Sequence, residues 1–457
     1  MATNPYVNKV VFGETTVIDI SPTTAVEADV AQGKIFFKAS GEQATGTNSG
    51  GSSIDVEPLS VTTNGTYTAP TGTAYSPVTV NVSGGGTTPA SPKDVNFIDY
   101  DGTILYSYTK SEFAQLDALP ANPDHSGDEI PLTSQGWNWT LAQINVQLTA
   151  QPNDPVTVGQ MYVTTDGKTY IEIELHEGRL SPYLGIAVNG TVVVDWGDNS
   201  ATSTVTGSSL TTQVRTLHEY AAAGRYKISI SVSSGSFAFY GTSAYTLLNK
   251  NSSTANQNRV YSNAVQSVRI GNNASINSYP FSHCYSLATI TIPSGVTSIG
   301  TYAFYYCCAL TSLTIPSGVT SNDGSAFREC YALTSLAIPS GVTSIGTYAF
   351  QNCYALTSLT IPSGVTSIGI YAFYHCYSLA TIIIPSGVTS IGTYAFYYCY
   401  GLAKLRFLPS TPPTVANSNA FTNIPTDCVI SVPTGSLSAY ASATNYPSSS
   451  TYTYIEE

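Results

Sequence analysis

The chain has 457 residues, of which 10% are charged and 11% aromatic, and its 33 Tyr far outnumber its 3 Trp. A net charge of −12 leaves no broad basic surface, so nucleic acid is not an expected partner. No apolar run approaches the roughly 18 residues of a membrane helix, so membrane insertion is not expected either. The opening Met1-Ala2-Thr3-Asn4-Pro5-Tyr6 has no basic stretch followed by an apolar one, and no ordinary secretory signal is expected. Residues 1–47 read as a small β unit, with strands around Val7–Gly13 and Thr16–Ile20. Residues 48–53 and 83–89 have flexible linker compositions. Between them, residues 55–83 form a hairpin-rich module with a turn signal at Asn64-Gly65.

Residues 94–150 follow as an α+β connector. Asp99-Tyr100-Asp101-Gly102-Thr103 leads to Thr109 and Glu112, a capping box for a short helix through Leu116. Gly136-Trp137-Asn138-Trp139 comes next. With Gly13, Asp19 and the Gly46-Thr47 ending, these motifs resemble the N-terminal parts of tail or minor structural proteins from phages and prophages of gut Firmicutes. The resemblance implies an N-terminus that docks to other tail or baseplate proteins of a virion, in a protein made in the bacterial cytoplasm. Over residues 155–235, Trp196-Gly197-Asp198, His218-Glu219-Tyr220 and Gly224-Arg225-Tyr226 punctuate short alternating strands, which suggests a β-sandwich. The trio resembles the PKD immunoglobulin-like domain, which implies a spacer or adhesion module. Glu172 and Glu174 alternate with Ile171, Ile173 and Leu175 and read as the solvent face of a strand.

The strongest signal is a period of 23 residues. Phe281, Phe304, Phe327, Phe350, Phe373 and Phe396 recur in step with Cys284, Cys307, Cys330, Cys353, Cys376 and Cys399. A leucine follows three residues after each of these cysteines, and Pro293, Pro316, Pro339, Pro362 and Pro385 complete the frame. A fixed period of this size predicts a solenoid. In the unit from Leu356 to Cys376, Leu359 and Ile361 predict a short strand that Pro362 ends. Ala372, Phe373 and Cys376 have the spacing of one inward-facing helical turn. The pattern resembles the bacterial leucine-rich repeats of the BspA type, whose members are typically surface-exposed binding proteins. Stacked cysteines have parallel Cβ vectors at about the 4.8 Å strand spacing, so they are expected as buried free thiols. Residues 265–408 are assigned to the solenoid and 409–457 to a C-terminal cap, in which Ala420-Phe421 and Cys428–Pro433 echo the repeat.

Between Tyr279 and Ala403 only Asp323, Arg328 and Glu329 are charged, while the same stretch holds 15 Tyr. Tyrosine supplies rigid contact area and a hydroxyl at small entropic cost. The candidate ligand-binding residues are Tyr302, Tyr305, Tyr306, Arg328, Tyr348, Asn352, Tyr371, Tyr374, His375, Tyr394, Tyr397 and Tyr398. The pairs just before each cysteine vary while the frame around them is nearly constant, as expected if they face a ligand. Tyr285, Tyr331, Tyr354, Tyr377 and Tyr400 form a second ladder that reads as mutual cover for the solenoid. The third unit departs from the pattern at Asn322-Asp323-Gly324-Ser325, which reads as a loop variant.

No His-Glu-x-x-His, nucleophile elbow or phosphate-binding loop is present, so no enzyme, metal or cofactor is expected. The chain is thus read as mainly β: small N-terminal modules, an immunoglobulin-like sandwich and a C-terminal solenoid. The expected function is a phage tail-associated receptor-binding protein, whose repeats contact a host cell-surface glycan or protein. A bacterial surface adhesin and a purely structural tail component are the alternatives, and the oligomeric state, a homo-oligomer included, stays open.

Overall fold

The computed structural model describes residues 93–150, 155–250, 259–261, 263–272, 274–320 and 324–457, together with six short strands nearer the start. These are β1 (Lys9–Phe12), β2 (Thr15–Asp19), β3 (Ile35–Phe37), β4 (Gln43–Thr45), β5 (Gly65–Tyr67) and β6 (Val78–Val80), paired antiparallel in that order. They belong to a unit spanning residues 1–87, and the rest of the chain forms a second unit. Gly65 pairs with Val80 inside the β5–β6 ladder, so the expected turn at Asn64-Gly65 is not the link between these strands. The two linkers and Asn322-Asp323 lie outside the described residues.

The connector is a four-stranded sheet in the order β8 (Ile104–Tyr108), β7 (Val95–Ile98), β10 (Val156–Thr164), β9 (Leu132–Trp137). Strand β10 lies in the segment read as sandwich, yet it runs parallel to β7 and completes the connector. Helix α1 (Lys110–Phe113) starts at the expected capping box, with Thr109 and Glu112 each satisfying the other's backbone N–H. Helix α2 (Leu141–Ala150) opens with Thr140, whose Oγ1 accepts from Gln143 N at 3.2 Å. Phe97, Phe113, Trp137, Trp139 and Ile144 fill the core of this layer.

Next come strands β11 (Thr169–Leu175), β12 (Tyr183–Asp195), β13 (Ser203–Leu217) and β14 (Gly224–Phe239); Trp196-Gly197-Asp198 follows β12, His218-Glu219-Tyr220 follows β13, and Gly224-Arg225-Tyr226 opens β14. Trp196 stacks on His218 at 4.5 Å, His218 Nε2 lies 2.8 Å from Asp198, and Tyr220 donates to Trp196 O at 3.1 Å. Tyr226 packs on Tyr220 at 4.2 Å, so all three motifs meet in one cluster. The strands assigned to residues 155–235 are divided between two sheets. Strands β11–β14 join an eight-stranded sheet, because β11 also pairs with Val265–Arg269, which in turn pairs parallel with Thr289–Thr291 of the first repeat. Ile171, Ile173 and Leu175 are buried as expected; Glu172 meets Ser267 Oγ and Glu174 meets Arg225 at 3.4 Å.

From there the chain winds as a parallel β-solenoid in register with the sequence period. Ser312 pairs with Ser335, Ser344 with Ser367, and Ser367 with Ser390. The seven rings from Phe281 to Phe421 stack at 5.3–5.8 Å in one column through the core. Residues 409–457 continue the winding: Thr414–Val415 pairs with Ser390–Ile391, Val429–Val432 with Lys404–Phe407, and Thr453–Glu456 with Val429–Val432. A short helix, Leu437–Ala441, then sets Tyr440 against Phe407 at 5.1 Å. The inward residues Ala372, Phe373 and Cys376 are fully buried as expected, but they do not sit on a helical turn. Tyr371 and His375 adopt left-handed φ of 57° and 59°, which a right-handed helix excludes.

The connector is fastened to the strand side of the solenoid by the prolines. In a parallel ladder, the carbonyl before each proline would receive an N–H from the residue 24 positions on. Leu408 N does this for Ile384 O at 3.0 Å. Pro339, Pro362 and Pro385 have no N–H to give to Ile315, Ile338 and Ile361. Side chains of the connector supply the missing donors: Asn138 Nδ2 to Ile315 O at 3.0 Å, Trp139 Nε1 to Ile338 O at 2.7 Å, and Gln147 Nε2 to Ile361 O at 3.1 Å. The outward strand residues beneath are small (Ser312, Thr314, Ser335, Ala337), whereas beyond the connector they become Ile383, Lys404 and Arg406.

Trp139→Phe removes the donor to Ile338 O and is expected to destabilise the fold by about 1–3 kcal/mol, the penalty of an orphaned buried carbonyl. Pro362→Ala restores an N–H at the position equivalent to Leu408. Thermal unfolding should therefore show a smaller loss for Trp139→Phe in the Pro362→Ala background than in the native one.

Candidate functional site

The segment that follows the second short strand of each coil carries the candidate residues. Its backbone alternates in direction. The N–H groups of Ala303, Tyr305 and Cys307 bond within the coil to Gly300, Tyr302 and Phe304, at 3.2, 3.3 and 3.0 Å. Those of Phe304 and Tyr306 bond to Ala326 and Arg328 in the next coil, at 2.9 and 3.1 Å. Two residues per coil take left-handed φ to achieve this: the Tyr302 position and the residue before cysteine. The intervening Ala and Phe point inward, and the polar and aromatic residues point out.

The cysteines lock this segment. Sγ of Cys307, Cys330, Cys353, Cys376 and Cys399 each donates to the phenylalanine carbonyl of the preceding coil at 3.2 Å. All eight cysteines are free. Burial pushes the Cys284 thiol up to about 12 and holds those of Cys307, Cys330, Cys353 and Cys376 well above their ordinary value.

All twelve candidate residues fall on one wall, arranged in columns along the solenoid. Tyr302, Tyr348, Tyr371 and Tyr394 form the first, with Tyr279 stacked on Tyr302 at 4.8 Å, Tyr348 on Tyr371 at 5.0 Å and Tyr371 on Tyr394 at 4.9 Å. Tyr305, Arg328, Tyr374 and Tyr397 form the second, joined edge-on to the first at 5.1–5.3 Å. Tyr306, Asn352, His375 and Tyr398 stand in the third, before the cysteines. The ladder after the cysteines makes a fourth, with Tyr331, Tyr354 and Tyr377 stacked at 4.8 Å. The recorded ring partners of these residues lie within the wall. Rings of the first and fourth columns stack face to face, as do Tyr374 and Tyr397 of the second at 5.4 Å; the Tyr377 hydroxyl lies 3.1 Å from His375 Nδ1 and that of Tyr394 accepts from Asn419 Nδ2 at 3.1 Å.

Two residues of the third column are almost fully buried: His283, which the sequence does not single out, and Glu329, which belongs to the varying pairs expected to face a ligand. Asn352 Nδ2 donates to Glu329 Oε2 at 2.8 Å, and Arg328 Nε lies 3.4 Å from Glu329 Oε1. The Arg328 guanidinium sits 5.4 Å from the ring centroid of Tyr305 and 5.3 Å from that of Tyr348. Burial raises the Tyr305 hydroxyl to about 12, and burial followed by the Glu329 carboxylate raises that of Tyr331 further. Burial lowers the His375 ring. The signal for Glu329 was its place in the varying pair before cysteine.

A second polar cluster lies in the connector. His125 Nε2 is 3.0 Å from Asp99 and Nδ1 is 2.9 Å from Asp128, while Tyr162 donates to Asp99 at 2.8 Å. The hydrogen bond to Asp99, then that carboxylate's charge and Asp128, raise His125 to about 9. No nucleophile stands beside the ring among the described residues; the cluster braces Tyr100, which lies under Arg269 at 4.6 Å. No group of three or more His, Cys, Asp or Glu placed to hold a metal occurs among the described residues, and none of their helices is long and apolar enough to cross a membrane.

A family profile described as the BspA type leucine rich repeat region, in six copies, matches residues 225–334 and 320–435. The repeats are of the BspA type. Such repeats are typical of bacterial surface adhesin-like proteins. Among solved structures, a leucine-rich repeat protein of T. pallidum is 29% identical over 33% of this chain and 71% of its own, with a TM-score of 0.31. A leucine-rich cell surface protein from Faecalibacterium prausnitzii is 28% identical over 37% of this chain and 61% of its own, with a TM-score of 0.28. No curated protein matches the chain. The BspA-type match begins inside β14, so it takes in the last strand of the segment expected as a separate sandwich.

Two outcomes are expected. The His125 ring is protonated more readily folded than unfolded, so its contribution is complete below its ordinary value near 6.5 and is lost as pH rises through about 9. The melting temperature should fall across that window, and His125→Asn should flatten the fall. In the native protein at pH 8, a thiol-alkylating reagent should spare the buried cysteines of the BspA-type coils and modify the half-buried Cys308 first. Mass spectrometry should count all eight modified only after unfolding.

Proposed function

We propose that this protein is a bacterial surface adhesin-like binding protein whose BspA-type solenoid contacts its partner through the tyrosine wall. The observation that carries this reading is the division of the solenoid into two sides. The strand side is bonded to the connector through Asn138, Trp139 and Gln147. The bonds of the tyrosine wall run between its own coils, and Tyr285, Tyr377 and Tyr400 stand exposed on it. A rigid, nearly uncharged surface of this composition suits recognition by contact area and hydroxyl hydrogen bonds. Leucine-rich-repeat solenoids typically serve as non-catalytic binding scaffolds, which supports a binding role over an enzyme. The repeat family supports the adhesin reading better than the tail-associated one, whose N-terminal motifs bear on a docking role that the repeats do not address.

The test is adhesion of the purified full chain to host cells in a binding assay. Replacing Tyr305, Tyr374 and Tyr397 together by Ser should reduce binding by about tenfold or more, the equivalent of about 1.4 kcal/mol. Circular dichroism would verify that the coils remain wound. Unaltered binding by a folded triple variant would show the columns to be structural cover alone.

A further inference from the structure

The fourth column is broken by Cys308 in the second coil, but the first three columns change together at one place, in the third and fourth BspA-type coils. Ser325 stands where the flanking coils have Tyr302 and Tyr348, so the first ring column is broken there. Arg328 and Gln351 occupy the second column between Tyr305 and Tyr374, and Glu329 and Asn352 occupy the third. The Arg328 side chain, 26% exposed, covers the opening and lies over Tyr305 and Tyr348. Two polar atoms of this patch are buried without a hydrogen-bond partner, Gln351 Oε1 and Asn352 Oδ1, while Arg328 Nε has only the 3.4 Å ion pair with Glu329. Gln351 is itself only 9% exposed and Glu329 only 4%. A buried polar group left unpaired carries a desolvation penalty that a ligand hydroxyl would lift.

We propose that this break is the specificity-determining subsite of the wall and that it takes a neutral glycan. The proposal rests on the reading of the wall as the binding surface. Ligand hydroxyls pair with Arg328, Gln351 and Asn352, and a C–H face of the sugar lies against the ring of Tyr348 once the guanidinium swings aside. Charge favours a neutral ligand, because Arg328 and Glu329 lie 3.4 Å apart and offset each other. Architecture favours a sugar over a peptide. A peptide gains affinity by adding a strand to a free edge or by filling apolar pockets. Here the outward-running N–H groups of Tyr306, Glu329 and Asn352 are already bonded to the next coil at 2.8–3.1 Å. The Phe, Ala and Cys side chains behind them are fully buried. What remains outward is ring edges and planar polar groups, which match a polyhydroxylated ring.

The experiment applies the full chain to an array of immobilised neutral and acidic oligosaccharides, beside Arg328→Gln, Asn352→Ala and Val146→Thr, with thermal unfolding verifying each fold. Neutral oligosaccharides should be retained. Arg328→Gln and Asn352→Ala should each weaken retention by about tenfold or more, while Val146→Thr, exposed on the connector helix and outside the wall, should stay within about twofold. Retention of acidic oligosaccharides only, or equal retention by folded Arg328→Gln and Asn352→Ala, would overturn the proposal. A chain that retains no oligosaccharide yet binds cells through the wall, resisting periodate and yielding to protease, would overturn it in favour of a protein ligand and leave the wall reading standing. Loss of that reading itself would appear separately, as unchanged cell binding by the triple tyrosine variant.

Discussion

A single bond repeated at the sequence period holds the wall in place: the cysteine thiol of each coil donating to the phenylalanine carbonyl of the coil before it. That carbonyl already receives the N–H of its own coil's cysteine, as Phe350 O does from Cys353 N at 3.1 Å. The thiol fills its second lone pair in a place no water reaches. Serine would offer a shorter arm and a more costly hydroxyl, and alanine would leave a void, so a small, weakly polar donor fits. The bond also fixes the ring above it. With the carbonyl tied between coils, consecutive phenylalanines stack nearly parallel, within 13° of one another. Because each coil contacts only its neighbours, stability accumulates coil by coil and register errors are penalised at every step.

The prolines act in the opposite sense. Each ends its strand and removes one donor from the ladder, which leaves a row of carbonyls along one side of the solenoid. In isolation that row would be bonded to water. Here Asn138, Trp139 and Gln147 meet it in three successive coils, and the small side chains of Ser312, Thr314 and Ala337 let the connector sit close. At Leu408 the proline is replaced, the ladder repairs itself, and the strands beyond carry Lys404 and Arg406 instead, which pair with Glu457 at 2.7 and 3.1 Å. The same local rule therefore decides how far the connector extends along the solenoid.

The solenoid was legible because its signal is repetition. The equal spacing of Phe281 to Phe396 set the register, and Ala420-Phe421 already betrayed a further coil beyond it. What could not be read was the conformation between the anchors. Ala372, Phe373 and Cys376 have helical spacing, yet left-handed residues at Tyr371 and His375 bring the same three side chains inward by another route. Such φ values are expected of Gly or Asn, and Tyr gives no hint of them; here the bonds to the next coil hold it there. The docking of the connector was hidden for a related reason. Gly136-Trp137-Asn138-Trp139 looks like a surface motif until the proline carbonyls it serves are counted. The candidate wall was legible because tyrosine recurs at outward positions; the burial of Glu329 was not, because in the varying pairs before cysteine it reads as one more outward residue.

The placement of that variation carries the functional meaning. Ring columns that stack face to face are good cover and poor discriminators, since every coil presents the same hydroxyl edges. Selectivity requires a coil that differs and pays for differing. The third coil gives up a stacked tyrosine for Ser325, buries Glu329 under an ion pair with Arg328 and a bond from Asn352, and has the side-chain oxygens of Gln351 and Asn352 unpaired beside it. A buried polar group without a partner calls for an explanation, and the proposed ligand would supply one for Gln351 Oε1 and Asn352 Oδ1. The uniform columns then serve as a stiff frame that holds one irregular patch at a fixed height and orientation, with the strand side closed by the chain itself.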